Sequence, residues 1–372
     1  MRLPASRPFI RPPTCASRFV LTPQRRWRSE ESPQYSLNNY LVTPHELDLA
    51  LKKNVHSKLS TAPRIIPLCA SWYMPNDPKK RTGLQAFKES RIPRARFFDL
   101  DAIKDDQSPY PHMLPTPERF AEAMGELGIR RDDSVVVYDS SDLGIFSAPR
   151  VAWTLRVFGH PAVHILNNYK LWVDQGYPTE SGEPQPVEAV TYPVPTLDSS
   201  KVMTFEELKA KLEKRDDPDA EPLQILDARS EGRWKGKEPE PRPGIPSLQC
   251  REKPDHAADL HLGLPSGHMP NSINIPFSDL ISARTKAFLP ADELRMYFEL
   301  KNVDPKKPIV SSCGTGVTAA VIDAALTEAG YPEEGRRLYD GSWTEYAQRV
   351  KPEEKLIFKT GPIKKEEANG KK

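Results

Sequence analysis

Lys307-Pro-Ile-Val-Ser-Ser-Cys-Gly-Thr-Gly-Val-Thr-Ala-Ala-Val-Ile-Asp-Ala-Ala-Leu326 is the stretch on which the rest of the chain turns. Pro308 to Ser311 is a short apolar run that reads as a buried parallel strand. Thr318 to Gly330 reads as a helix closed by a glycine at its C-cap. Between them, Cys313-Gly-Thr-Gly-Val-Thr318 must turn tightly enough to need two glycines. A strand, loop and helix in that order aim successive backbone N–H groups into one concavity at the positive end of the helix dipole. Such a concavity favours an anion, and Cys313 stands at its mouth. A thiolate there would be stabilised, which is what makes a cysteine nucleophilic at neutral pH. For Cys15, Cys69 and Cys250 nothing overrides the simpler reading of a small apolar residue.

A cysteine-based phosphatase would use the same cradle, with an arginine six residues after the cysteine to bind phosphate. That position here is Ala319, so the loop suits a smaller group, such as sulfur carried on sulfur. Cys313-Gly-Thr-Gly-Val-Thr318 resembles the active-site loop of the rhodanese-type sulfurtransferases, and within them the 3-mercaptopyruvate branch, whose loop begins Cys-Gly-Ser-Gly. The thiosulfate branch carries long basic or polar residues where this chain has Gly314 and Thr315. The likeness runs from about Pro67 to Pro352.

The length of 372 residues leaves room for two domains, each with its own core. A net charge of only +2 suggests no nucleic-acid partner. Four scattered cysteines do not form a disulfide framework, which points to a reducing compartment. No apolar run is long enough to cross a bilayer, so a soluble chain without a membrane partner is expected. Residues 1–29 hold seven arginines and no acid, the composition of a mitochondrial transit peptide. The expected location is the mitochondrial matrix, with a cytoplasmic pool as the alternative, and the other reading of this segment is a basic tail.

The chain then reads as two copies of one α/β unit, each a parallel sheet with helices on both faces. Residues 40–178 form a first rhodanese-like domain, 179–200 a proline-rich linker, 201–360 a second domain, and 361–372 a polar tail. Thr43 and Thr204 are expected to cap the opening helices, with Glu207 completing a capping box. Strands are expected at Ile65–Trp72, Arg91–Asp99, Ser134–Asp139, Val163–Leu166 and Leu223–Arg229. His268–Pro276 repeats the Arg91 segment, and Arg337–Trp343 repeats Ile165–Trp172. Asp139 occupies the cysteine's place in the first copy, which leaves that copy non-catalytic. Asn167, Asn168 and Asn271 replace turn residues of the family and are expected to take left-handed backbone. Residues 243–262 look like an insertion. Cys250, His256, His261 and His268 fall in or beside it, but their spacing fits no zinc pattern, so no metal or cofactor is expected.

Arg233 and Arg242, on short loops after a strand, can grip a planar carboxylate with paired hydrogen bonds. The resemblance assigns both to the substrate carboxylate; the competing reading is a surface arginine paired with Glu231 or Glu240. The resemblance also implies a proton relay of Asp101, His112 and Thr315, the threonine standing for the usual serine. His112 read without it is a structural loop histidine, and Asp99 a fold residue. Backbone N–H groups of Gly314, Gly316, Val317 and Thr318 would line the persulfide site. The activity implied by the resemblance is transfer of sulfur from 3-mercaptopyruvate through a Cys313 persulfide to a thiol such as that of thioredoxin. The alternatives are a thiosulfate:cyanide sulfurtransferase and a persulfide relay serving tRNA thiolation or cofactor synthesis.

Overall fold

The computed structural model describes residues 37–54, 62–241 and 263–360. The 1–29 segment, Cys15, Arg242, Cys250, His256, His261, the 243–262 insertion and the 361–372 tail lie outside the described residues.

Runs such as Val135-Val-Val-Tyr138, buried throughout, pair with neighbours on both sides, as the strands of a covered parallel sheet must. The first sheet contains β1 (Leu41–Val42), β2 (Ile65–Cys69), β3 (Arg96–Phe97), β4 (Ser134–Tyr138) and β5 (Ala162–Leu166). Its order is β1-β5-β4-β2-β3, all parallel. The second contains β6 (Val202–Met203), β7 (Gln224–Asp227), β8 (Ser272–Asn274), β9 (Ile309–Ser312) and β10 (Arg336–Tyr339). It takes the same course, β6-β10-β9-β7-β8, again all parallel. Among the described residues no helix is long and apolar enough to cross a membrane.

Local signals place the helix starts well. Thr43 caps helix Pro44–Lys53 in a capping box with Glu46, and Thr204 caps Phe205–Glu213 in one with Glu207. Helix Ala319–Glu328 ends as expected at Gly330, where the N–H groups of Gly330 and Tyr331 bond to the carbonyls of Thr327 and Leu326.

Two expectations need correction. The strand expected over Arg91–Asp99 shrinks to Arg96–Phe97, because Pro93 has no N–H to give a ladder and Arg94 takes φ +62°. Arg91 instead bridges Glu180. Asn271 does adopt left-handed backbone (φ +56°), but Asn168 is extended at φ −135° and accepts from the N–H of Leu171. The asparagine pair works between the halves: Asn168 donates to the carbonyl of Thr285 (3.1 Å), and Asn167 accepts from the N–H of Phe288 (2.9 Å). The expected left-handed turn there is wrong.

The described residues fall in one compact unit, and its largest apolar core runs through both halves. Helix Ala319–Glu328 packs against helix Ala148–Val157 of the first half, and Ala148–Val157 is itself buried along nearly its whole length. Pro178–Ser200 is laid along the first half, with Tyr192 buried and its hydroxyl 2.9 Å from His160 Nδ1.

His160 is 4% exposed, and burial pulls its pKa from 6.5 down to about 4. Its neutral form therefore stabilises the fold above pH 6.5, and that stability is lost as pH falls towards about 4. Urea unfolding of the wild type and His160→Gln at pH 7 and 4.5 should show the gap between them narrowing by about 2–3 kcal/mol at the lower pH. A gap independent of pH would mean that His160 is not held neutral.

Candidate active site

Cys313 follows β9 directly, at the carboxyl end of the second sheet, and is 2% exposed. Helix Ser342–Arg349 holds the loop from the side: the N–H groups of Trp343 and Thr344 bond to the carbonyls of Cys313 and Gly314 at 3.0 and 2.9 Å. The Cys313 N–H donates to Ser342 Oγ. The two glycines serve different ends. Gly316 has φ +78°, and a Cβ there would meet the Asp340 carbonyl at 2.7 Å and Arg150 Nη1 at 2.8 Å. Gly314 has ordinary backbone and instead clears space for Arg233, whose Nη2 would lie 3.2 Å from an added Cβ.

Cys313, Gly314, Thr315, Val317 and Thr318 line a cavity of about 290 Å³ together with Arg233. Trp72 and Phe146 of the first half and Phe277 of the second form its apolar wall. Gly316 is not among the residues lining it.

The halves meet behind Thr315. His112, 1% exposed, places Nδ1 3.1 Å from Thr315 Oγ1 and Nε2 3.0 Å from Asp101 Oδ1. A carboxylate only accepts, so Nε2 carries the proton and Nδ1 is left to accept from the threonine hydroxyl. Trp72 steadies the group, its Nε1–H donating to Asp101 Oδ2 at 2.9 Å and its ring meeting that of His112 edge-on at 4.7 Å. The three residues named from sequence thus form one hydrogen-bonded chain. Asp99 accepts from the N–H groups of Asp101 and Ala102, as a fold residue would.

Arg233, in the short helix Glu231–Trp234 after β7, reaches the cavity but pairs there with Glu240. Glu240 also accepts from Arg229 at 2.7 Å, and Arg229 grips Asp227. Arg229 is fully buried, its guanidinium 4.1 Å above the ring of Trp343. Two guanidinium groups therefore face two carboxylates. Sequence reasoning offered Glu240 only as a surface partner and missed Arg229, Asp227 and the aromatic wall. The signal was present in Asp227-Ala-Arg229, two opposite charges closing an apolar strand.

Elsewhere, Asp139 shows what the first half does with the equivalent position. Its carboxylate accepts from the N–H groups of Phe146, Ser147 and Ala148 at 2.8–2.9 Å and from the Ser147 hydroxyl. Burial nonetheless pushes its pKa up to about 6. Burial likewise pushes the Cys69 thiol up to about 12, which keeps it protonated. His268 stacks on Trp234 and bonds to its carbonyl at 2.8 Å.

The chain thus has two tandem parallel sheets, with buried Cys313 on the loop that joins the second sheet to helix Ala319–Glu328. A family model described as "Rhodanese-like domain" matches residues 204–349. A probable 3-mercaptopyruvate sulfurtransferase of Schizosaccharomyces pombe is 39% identical over 313 residues, 83% of this chain and 95% of that protein. Thiosulfate sulfurtransferase TUM1 of Saccharomyces cerevisiae is 40% identical over 304 residues, 78% of this chain and 90% of that one. A sulfur transferase subunit of yeast mitochondrial complex I superposes with a TM-score of 0.70 at 32% identity, covering 87% of this chain and all of that one. The chain belongs to the rhodanese-type sulfurtransferase family. Its chemistry is the transfer of sulfur.

Gly316→Ala should cost more than backbone strain alone, roughly 1–2 kcal/mol for a left-handed residue. Gly176→Ala is the control, at φ +73° with nothing within 4 Å of the added Cβ. Urea unfolding should show the larger loss for Gly316→Ala, and only that variant should slow sulfur transfer. Equal losses would mean that the loop has room to adjust.

Proposed function

We propose that this enzyme takes sulfur from 3-mercaptopyruvate onto Cys313 and passes it to a second thiol. The observation that carries the reading is the Thr315–His112–Asp101 chain reaching the cysteine loop from the other half. Cleaving mercaptopyruvate needs a proton moved. The Cys313 thiolate attacks the substrate sulfur, the carbon–sulfur bond breaks, and its electron pair leaves as the pyruvate enolate. The proton that the enolate gains equals the one that the sulfhydryl loses, and Thr315 and His112 carry it, with Asp101 holding the imidazole. A persulfide anion remains on Cys313, held by the N–H groups of residues 314–318. A thiol such as that of thioredoxin then attacks the outer sulfur, regenerating the Cys313 thiolate.

Arg233 is assigned to the substrate carboxylate, with Glu240 presenting its guanidinium edge to the cavity. Arg242 is assigned to the same role on sequence grounds. Thiosulfate is a second donor, a reading supported by the name of the TUM1 relative. The absence of a basic side chain from 314–318 argues for mercaptopyruvate as the better one. We read residues 40–178 as the non-catalytic copy of the repeat, lending Asp101 and His112 to a catalytic copy at 201–360. The acid-free arginine run in 1–29 and the yeast mitochondrial relative support a mitochondrial location.

Two measurements test the reading. Intact-protein mass spectrometry after mercaptopyruvate should show one added sulfur on the wild type and none on Cys313→Ser; sulfur on Cys69 would end the assignment. Steady-state rates with both donors should show His112→Ala losing about 10²–10⁴-fold with mercaptopyruvate and far less with thiosulfate, whose leaving sulfite needs no proton. Equal losses would leave His112 with a shaping role only.

A further inference from the structure

Arg150 lies in helix Ala148–Val157 of the first half and is 1% exposed. Its Nη2 donates to the main-chain carbonyl of His112 at 2.6 Å and to Asp340 Oδ1, across the boundary, at 2.5 Å. The other oxygen of Asp340 accepts from the N–H of Leu114 at 2.8 Å. The pair therefore holds the backbone on both sides of Met113. His112 itself has φ +63°, a conformation that costs a non-glycine residue and persists only where the surroundings impose it. Arg150 Nη1 lies against Gly316, the residue after Thr315. Among the described residues, Arg150 Nε and Nη1 are buried without an acceptor. A group kept only for stability would be a poor choice here, since unmet buried donors work against the fold.

We propose that Arg150 and Asp340 are the positioning pair of the proton relay. Neither touches the reacting atoms; together they lock His112 in its strained backbone so that Nδ1 stays on Thr315. The inference rests on the relay reading of Thr315, His112 and Asp101 and adds the residues that make the relay geometrically stable.

The test is a double-mutant cycle on the full chain. Arg150→Met combined with Asp340→Asn removes both charges, which avoids stranding one, and keeps an acceptor for the Leu114 N–H. With mercaptopyruvate this variant should lose about 100-fold in kcat, the scale of a misplaced reacting group, with KM within about threefold of wild type. In a His112→Ala background the same two changes should cost no more than about twofold, because the residue they position is gone. Arg150→Lys, which keeps the charge but loses the fork, should be intermediate in kcat and carries the test if the double variant does not fold. A full additional loss in the His112→Ala background overturns the proposal, since the pair would then act on the protein as a whole. The relay reading fails separately, when His112→Ala slows both donors equally. A His112→Ala enzyme with full mercaptopyruvate activity overturns both.

Discussion

Helix Ala319–Glu328 is apolar on nearly every side, and the two halves of the molecule have to close over it. Val321, Ile322 and Leu326 are completely buried, each contributing about 1.5–3 kcal/mol relative to exposure. Because the same helix starts at the end of the cysteine loop, a largely buried element also fixes the position of Cys313. Interiors packed to crystal-like density do not slide by an ångström without cost. That rigidity lets a side chain of the first half stay 3.1 Å from Thr315 across a separation of 203 residues.

The two most deeply buried guanidinium groups are each met by a carboxylate. Arg229, fully buried, is met by Asp227, Glu240 and the face of Trp343. Arg150 is met by Asp340 and by the carbonyl of His112. In both places, breaking one partnership would leave a charge without water or counter-ion, which is far more damaging than never having buried the pair. The two cradles make the converse point. In the first half a carboxylate fills the cradle of N–H groups; in the second Cys313 stands at the equivalent place and lines a cavity.

Much of this was legible from local pattern. The Cys313 loop, the glycine that closes its helix, the caps at Thr43 and Thr204 and the covered parallel strands each arise from interactions within a few residues. The hydrogen-bonded chain of Asp101, His112 and Thr315 became legible only through likeness to a known family, because nothing in the spacing of the three links them. Arg94 and the Asn167–Asn168 pair escape local reading for a related reason. Asparagine has a local preference for left-handed backbone, yet here its amide is used to reach Thr285 and Phe288.

The sequence by itself determined the α/β class, the doubling of the unit and the strand–loop–helix that carries Cys313, since periodicity, caps and the loop glycines encode these at short range. Only the tertiary structure decided what stands around the sulfur. Glu240 is drawn onto Arg233, Arg150 onto His112, and Trp72 onto Asp101 because burial forces each polar group to find a partner wherever packing has brought one. Those partners lie between 7 and 38 residues away along the chain, and the His112–Thr315 bond closes over far more. Such pairings are set by how two apolar faces fit together, which no local run of residues records.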